Sequence, residues 1–564
     1  MSLAQSNRPD QWLQNAAANA MSALLARLDP ELDARPFFWI DLRQQLPTAS
    51  HSYWDACDIA GRFVDGLVLA RRMTGRTDST AIEAQLRQFL WAQQDPVDGL
   101  FYNWEEEGAA NNEMSKYLPD AEVDTRQRHV DMFCQRSPLL AMTTLLADGD
   151  ESMWPRLQKM VRGLLAISER NGDEIRFSTY RWAPVLKPEW FNGANAPEKW
   201  QGYRYALLTG LARYAELTQD PAGVELALGL ARYYMRHGDV PPDGRFVANT
   251  HSGGVLPTTV GIARLGIWKG DGEMVAWANR VYLWVCENTP EFGFLRDGLG
   301  LEGFFASTCE TCGLADLVHL ALILTEAGVG NYWDDIERIA RNQLLENQYR
   351  DAATIRRLYP GIDDRVLDMM CGGFECAAYP NRLLTWVGVE GCCIGGGLRA
   401  LYLAWRGSIR DDSDETYVHM NFSRVTPFIQ VIGHEPWQGR MDVRAYAPRR
   451  VHLRVPGYAA LDQVQTLIDG QAVTVTWNGR YVTFELAAGQ IATRLYSLPE
   501  SSRTYTIADQ TYQGRWRGNT MLEIQPAGEG YPIYQRQALL NEDALCAPDL
   551  PWLQDGLAAL PFLW

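Results

Sequence analysis

From about residue 10 to about residue 405, apolar residues return at the three-to-four-residue interval of an α-helix, in blocks separated by short Gly/Asp turns. Four blocks are clearest: DIAGRFVDGLVLARRMTG, YALLTGLARYAELTQDPAGVELALGLARYYMRHGD, TVGIARLGIWKGDGEMVAWANRVYLWVCE and CGLADLVHLALILTEAGVGNYWDDIERIARNQLLENQ. Each reads as helix, turn, helix. In the last, Gly328 and Gly330 end one helix and Asp334 lies at the start of the next. A helical hairpin has an apolar face that only neighbouring hairpins bury, so a series of them forms a solenoid or a closed α/α toroid. The blocks share no repeated consensus. Long connections interrupt them, notably RWAPVLKPEWFNGANAPEKW and FVANTHSGGVLPT, whose Trp, Asn, His and Gly suit the mouth of a barrel that binds sugar.

After Trp405 the period changes. GSIRDDSDET is polar and turn-rich, and FIQVIG, RMDVRAYA, RVHLRVPGYA and QTLIDGQAVTVTWNGRYVTFELAAG then alternate every second residue. Asp469-Gly470 and Asn478-Gly479 are hairpin signals. The expectation is a helical unit over residues 1–410 and an all-β sandwich over 411–564, with the Pro-rich closing stretch packing back on the helices.

Composition narrows the function. A chain of 564 residues, nearly half of them apolar, builds more than one ordinary core and leaves little room for disorder. A net charge of −17 without a basic cluster opposes nucleic acid and anionic lipid. The N-terminal residues lack the features of a secretory signal, and no apolar run is long enough to cross a bilayer, so a cytoplasmic protein is expected, with a neutral glycoside or small oligosaccharide as partner and a homodimer compatible with it.

Six of the ten cysteines crowd into residues 309–393, a distribution that suits metal binding or catalysis better than a disulfide framework. Cys57, Cys134, Cys286 and Cys546 lie apart and read as small buried apolar residues. Cys309-Glu310-Thr311-Cys312-Gly313 and Gly391-Cys392-Cys393-Ile394-Gly395 each stand just before a helical segment. Zinc takes thiolates and carboxylates in a tetrahedron, and two such turns can close one site; packing without metal is the other reading of this spacing. Cys309, Cys371 and Cys376 leave an all-cysteine set open, with Glu310 behind it.

The order of these motifs resembles glycoside hydrolase family 127, the β-L-arabinofuranosidase-like proteins. The match is carried by Asn249-Thr250-His251, Glu302-Gly303, Glu310-Thr311-Cys312, Arg341-Asn342, Cys392-Cys393 and the segment EPWQGRMDVRAYAPRRVHLRVPGYA. The resemblance implies an (α/α)6 barrel followed by β-sandwich structure, with zinc held by Glu310, Cys312, Cys392 and Cys393. It also implies Cys392 as nucleophile of a retaining glycosidase. Glu302, about 50 residues after His251, takes the place of the family's acid/base, with Glu291 in reserve. The chain departs from the family in Ile394-Gly395-Gly396-Gly397, where several members carry Pro-Pro-Asn, and in Tyr203-Arg204-Tyr205, which lacks an expected histidine. Both departures put arabinose itself in question.

Around this centre, His251 reads as a contact to a sugar hydroxyl or as a helix cap, and Trp54, Asp55 and Asp58 as a sugar-holding group or as core residues at a helix start. His319 on an apolar helix reads as a satisfied core histidine. Two other functions remain open at this level: a zinc-free α/α-barrel enzyme such as an unsaturated glucuronyl hydrolase or an epimerase, and a carbohydrate-binding protein with structural zinc.

Overall fold

The computed structural model describes residues 12–52, 55–102, 129–179, 181–182, 201–246, 251–299, 304–385, 387–536 and 564. Up to residue 407 it is mainly helical, with short strands between helices: α1 (Trp12–Ala26), α2 (Asp58–Thr74), α3 (Thr80–Ala92), α4 (Arg136–Ala147), α5 (Met153–Ala166), α6 (Gln201–Tyr205), α7 (Leu208–Thr218), α8 (Pro221–His237), α9 (Ser252–Lys269), α10 (Gly272–Glu287), α11 (Thr311–Glu326), α12 (Trp333–Ile339), α13 (Ala352–Leu358), α14 (Asp364–Met370) and α15 (Gly391–Gly407). Six of these, α2, α4, α7, α9, α11 and α15, pack each against the next, and α15 closes back on α2. Outer helices back this cycle: α1 on α15 and α2, α3 on α2, α5 on α4, α8 on α7, α10 on α9 and α12 on α11.

The two sets differ in sequence as their positions demand. Outer α5 buries one stripe, including Met153, Leu157, Met160, Val161 and Leu164. Inner α9 is buried at every residue from Ser252 to Gly266, and inner α2 at every residue from Asp58 to Ala70. DIAGRFVDGLVLARRMTG is therefore one helix and not a hairpin. It ends at Gly75, which takes the left-handed conformation with φ 68°, while Gly61 and Gly66 inside it make room for neighbours. A Cβ on Gly61 would stand 2.5 Å from the Ser137 carbonyl carbon. The other three hairpin blocks fold as helix pairs, with Gly270 and Gly328 at positive φ in two of the turns. HSGGVLPT, expected to be connection, runs into the first turns of α9, because its glycines serve close packing and not a turn, Gly254 against α6 and Gly253 against His251 and Glu310.

Beyond α15 the chain is β. One sheet orders Ile409–Asp411, Glu415–Val418, Arg449–Arg454, Tyr481–Leu486 and Thr476–Asn478; a second orders Arg424–Val425, Ile429–Gly433, Arg440–Ala445, Ile491–Leu495, Gln465–Ile468 and Gln471–Ala472. Val418, Val451, Leu453 and Phe484 of the first share one apolar core with Ile429, Val431, Val443 and Ala492 of the second. Asp469 and Gly470 both take positive φ between paired Ile468 and Gln471, as a type I′ turn requires. At the second signal Asn478 still pairs with Tyr481, so Gly479 and Arg480 form the turn. A third, antiparallel sheet (Glu500–Ile507, Gln510–Arg517, Thr520–Gln525) sends Tyr505, Ile507, Trp516 and Met521 into the helical core.

Arg341 and Asn342, in a π-turn over Ala340–Leu344, join the helical and β regions. The buried Arg341 guanidinium donates to the carbonyls of Asn421 (2.8 Å) and Glu435 (3.2 Å) and to Glu337 (3.0 Å), while Asn342 bonds the backbone of Asn519 and Met521 at 2.9 Å each. His319 is buried, yet neither ring nitrogen has a hydrogen-bond partner among the described residues. It meets the edge of Trp564, whose indole bonds Thr144 at 2.9 Å. The expectation of a satisfied histidine fails; burial first, and then the charges of Arg264, Arg399, Arg406 and Arg136, hold the ring well below its ordinary range and so neutral. Among the described residues no helix is long and apolar enough to cross a membrane.

Candidate metal centre

Three neighbouring helices of the inner cycle, α9, α11 and α15, begin at the same place. The residue preceding each is extended: His251 (φ −84°, ψ 129°), Glu310 (−90°, 133°) and Glu390 (−90°, 144°). Cys312, Cys392 and Cys393 then lie in the first helical turns and not ahead of them, so the sulfurs sit at the positive ends of two helix dipoles, a setting that favours thiolate. The Glu390 end is fixed by strand pairing, since Val389 and Glu390 pair with Ile40 and Trp39. Beneath it the buried Arg27 guanidinium donates to the carbonyls of Phe38 (3.0 Å), Val389 (3.0 Å) and Met369 (3.2 Å).

The sulfurs form one group. Cys312 Sγ lies 3.7 Å and Cys392 Sγ 3.8 Å from Cys393 Sγ. A carboxylate oxygen of Glu310 and the sulfurs of Cys376, Cys392 and Cys393 all lie within 4.8 Å of one another. Glu390 Oε2 accepts from both Cys376 (3.3 Å) and Cys392 (3.4 Å), and Arg62 Nη1 donates to Cys312 Sγ at 3.5 Å. Glycines permit this convergence. A Cβ on Gly396 would fall 3.1 Å from Cys312 Sγ, one on Gly395 2.8 Å from Arg62 Cβ, and one on Gly253 2.7 Å from His251 Cε1.

The donor set could hold a metal ion. Two thiolates bound tetrahedrally at about 2.3 Å stand roughly 3.8 Å apart, and the two sulfur separations here match that spacing; a disulfide would need about 2.05 Å. All four thiols are held above the ordinary range without metal: Cys393 by burial first, Cys312 and Cys376 first by their bonds to Cys392. For Cys392, bonding to Cys312 and Cys376 pulls the other way and is outweighed by Cys393 and by burial. A cluster of neutral, crowded thiols is the state from which a divalent cation displaces protons.

Beside the sulfurs, His251 Nε2 faces two carboxylates, Asp297 and Glu310, the latter at 3.2 Å. Burial would lower the imidazole, but Asp297 and then Glu310 push it up to about 10. Glu310 stays below the usual range despite burial, because His251 and then Arg62 stabilise its charge. Glu390 is pushed up to about 7 by burial, with Glu310 adding like charge. Tyr203, in the stretch that lacks the histidine expected from the resemblance, stacks on His251 at 5.2 Å between ring centres.

Of the residues singled out in the sequence, Glu310, Cys312, Cys392, Cys393 and His251 come together. Glu302 and Trp54 lie outside the described residues. Asp58 is buried beneath the centre, its Oδ2 accepting from Arg62 Nε (2.9 Å) and its Oδ1 from Ser137 Oγ (2.5 Å). Asp55 is buried and bonds His51 Nδ1 at 3.0 Å. Glu291 is turned to the third sheet, where Tyr505 donates to it at 2.9 Å and Arg503 pairs with it. The buried Cys309 thiol lies against Asn347 and the Leu295 backbone and Cys371 follows α14; among the described residues neither joins the cluster, while Cys376 does. Arg62, Asp297 and Glu390 were not found in sequence. A signal existed for Glu390: Glu390-Gly391-Cys392 repeats the Glu-x-Cys spacing of Glu310-Thr311-Cys312.

No family model matches the chain, and no curated protein matches it. Solved structures do. A GH127 β-L-arabinofuranosidase from Geobacillus stearothermophilus T6 superposes with TM-score 0.56 at 15% identity, over 90% of this chain and 80% of that one. A structure described as a glycoside hydrolase gives 0.58 at 11%, over 92% and 84%. A second GH127 β-arabinofuranosidase gives 0.56 at 14%, over 92% and 82%. At these identities the likeness is one of fold, and over nine-tenths of its length this chain follows the course of those family 127 structures.

Proposed function

We propose that the protein is a retaining glycoside hydrolase of the β-L-arabinofuranosidase type, acting on a furanoside with Cys392 as nucleophile. The observation that carries this is the group of three sulfurs on the first turns of two adjacent helices, Cys312 and Cys392 at 3.7 and 3.8 Å from Cys393, with Glu310 within 4.8 Å of Cys392 and Cys393. Zinc held by Glu310, Cys312, Cys392 and Cys393 would replace the thiol protons and keep the sulfurs ionised. Four protein ligands leave no vacant position for a metal-activated water, so sulfur is the attacking atom.

Cys392 Sγ forms a bond to the anomeric carbon as the bond to the leaving oxygen breaks. Glu302 protonates that oxygen and then takes a proton from the water that displaces sulfur from the opposite face; two inversions give retention. His251, held between Asp297 and Glu310, bonds a sugar hydroxyl, and Trp54 offers an aromatic face. Asp58, with both oxygens engaged, acts through Arg62 on Cys312. The closed six-helix cycle is read as the (α/α)6 barrel of a 1–410 unit and the paired sheets as the sandwich of the 411–564 unit. A centre of ionisable thiols suits the reducing cytoplasm.

The test is metal analysis of the purified protein together with hydrolysis of an aryl β-L-arabinofuranoside followed by NMR. Expected are stoichiometric zinc, net retention, and loss of turnover by at least about a thousandfold in Cys392→Ser. Glu302→Gln should lose most turnover on poor leaving groups and least on a nitrophenolate. Turnover preserved in Cys392→Ser, or full activity in metal-free protein, overturns the reading.

A further inference from the structure

The centre holds one sulfur more than a tetrahedral site with Glu310, Cys312, Cys392 and Cys393 requires, and that extra sulfur is built in. The segment carrying Cys376 runs antiparallel to the one carrying Glu310 and Cys312. Cys309 and Ala378 exchange backbone bonds at 2.9 and 3.0 Å, and Thr311 Oγ1 donates to the Glu375 carbonyl at 2.7 Å. The buried Glu375 side chain ties the segment down, accepting from Tyr349 Oη (2.5 Å), Leu384 N (2.7 Å) and Ala377 N (3.2 Å). Cys376 Sγ is thereby delivered to the same carboxylate oxygen, Glu390 Oε2, that Cys392 Sγ reaches, at 3.3 against 3.4 Å. It also lies within 4.8 Å of Glu310, Cys392 and Cys393. The two sulfurs flank one acceptor, and both lie within 4.8 Å of Glu310 and Cys393.

We propose that Cys376 is a reserve ligand: it takes the coordination position of Cys392 whenever that sulfur is lost to the metal, so that the centre keeps three thiolates and one carboxylate. The need follows from the reaction proposed above, on which this inference rests. Once Cys392 sulfur is bonded to a sugar carbon it is a neutral thioether, a poor ligand for zinc beside thiolates. Without a replacement, the ion would be left with Glu310, Cys312 and Cys393 and would take up water inside the site. Cys376 would fill that position as a thiolate, passing its proton to Glu390 Oε2, the oxygen it already donates to at 3.3 Å.

The test counts sulfurs around the metal with zinc-edge X-ray absorption on the full chain, and measures affinity by chelator competition. Wild type and Cys376→Ser should each show three sulfurs. Cys392→Ser should also show three, now from Cys312, Cys376 and Cys393, whereas Cys376→Ser/Cys392→Ser should show two. Cys376→Ser should weaken zinc binding at least about tenfold in the Cys392→Ser background and much less in wild type. Two sulfurs in Cys392→Ser overturn the proposal, as does a drop to two in Cys376→Ser alone, which would make Cys376 a resident ligand. Wild type without zinc instead refutes the function proposed above, so the two failures are told apart. Circular dichroism on each variant, with Cys376→Ala beside Cys376→Ser, separates misfolding from ligand loss.

Discussion

Gly396 is the position where packing and metal binding meet most directly. It lies in α15 against the first turn of α11, and a Cβ there would stand 3.1 Å from Cys312 Sγ and 3.2 Å from Cys312 Cα. The sulfur can swing away, but the Cα belongs to a helix buried along nearly its whole length. Carbon contacts are comfortable at about 3.5–4.0 Å, so Gly396→Ala separates the two helices by roughly 0.5 Å. Overpacking of this kind costs about 1–3 kcal/mol, and replacing glycine by alanine inside a helix returns roughly 1 kcal/mol. The net change is thus a loss of about 0–2 kcal/mol. The metal site fares worse, because the 3.7 Å separation of Cys312 and Cys393 already matches one shared ion and would open beyond it. We expect zinc affinity to fall about ten- to a hundredfold, as for loss of a supporting contact at a metal site, with a midpoint of chemical unfolding in excess zinc close to wild type. Gly272→Ala, at the start of α10 with nothing within 4 Å of the added carbon, is the control and should change neither. Wild-type zinc affinity in Gly396→Ala, measured by chelator competition, would refute the reasoning that α11 and α15 together set the sulfur spacing.

Two further substitutions test the surroundings. Asp58→Asn keeps the shape of the side chain but removes the charge that holds buried Arg62 at 2.9 Å; breaking such a pair costs about 3–5 kcal/mol, read by chemical denaturation, and frees the guanidinium that touches Cys312, so zinc affinity should fall with it. Equal denaturation midpoints for variant and wild type would show that the pair carries no such role. Glu346, distant in role from the centre, is buried, which alone would raise it, but Arg536 at 2.7 Å and then Arg350 hold it down to about 2 from an ordinary 4.5. Its folded form therefore favours the charged state, a contribution of about 3 kcal/mol that is full above pH 4.5 and lost as pH falls toward 2. Glu346→Gln should be less stable than wild type near pH 7 and converge with it as pH falls to about 2; a pH-independent difference would sink this assignment.

What the sequence by itself determined was periodicity and local chemistry. Three-to-four-residue spacing marked the helices, alternation marked the strands from Phe428 onward, and Asp469-Gly470 marked its hairpin, because each depends on neighbours a few residues apart. The Glu-x-Cys and Cys-Cys motifs were legible for the same reason. Tertiary structure decided the rest. Helices buried on every side carry no polar stripe to mark their ends, so α2 read as a hairpin and the start of α9 as a loop. Their glycines are answers to neighbouring backbones hundreds of residues away in some cases, as Gly66 in α2 is to Gly395 in α15. Arg62 and Asp297 belong to the centre only because α2 and the loop before α11 are folded against it, and Cys376 only because Ala378 pairs with Cys309. A metal site is a set of distances of a few ångströms, and sequence spacing constrains such distances only within a single turn.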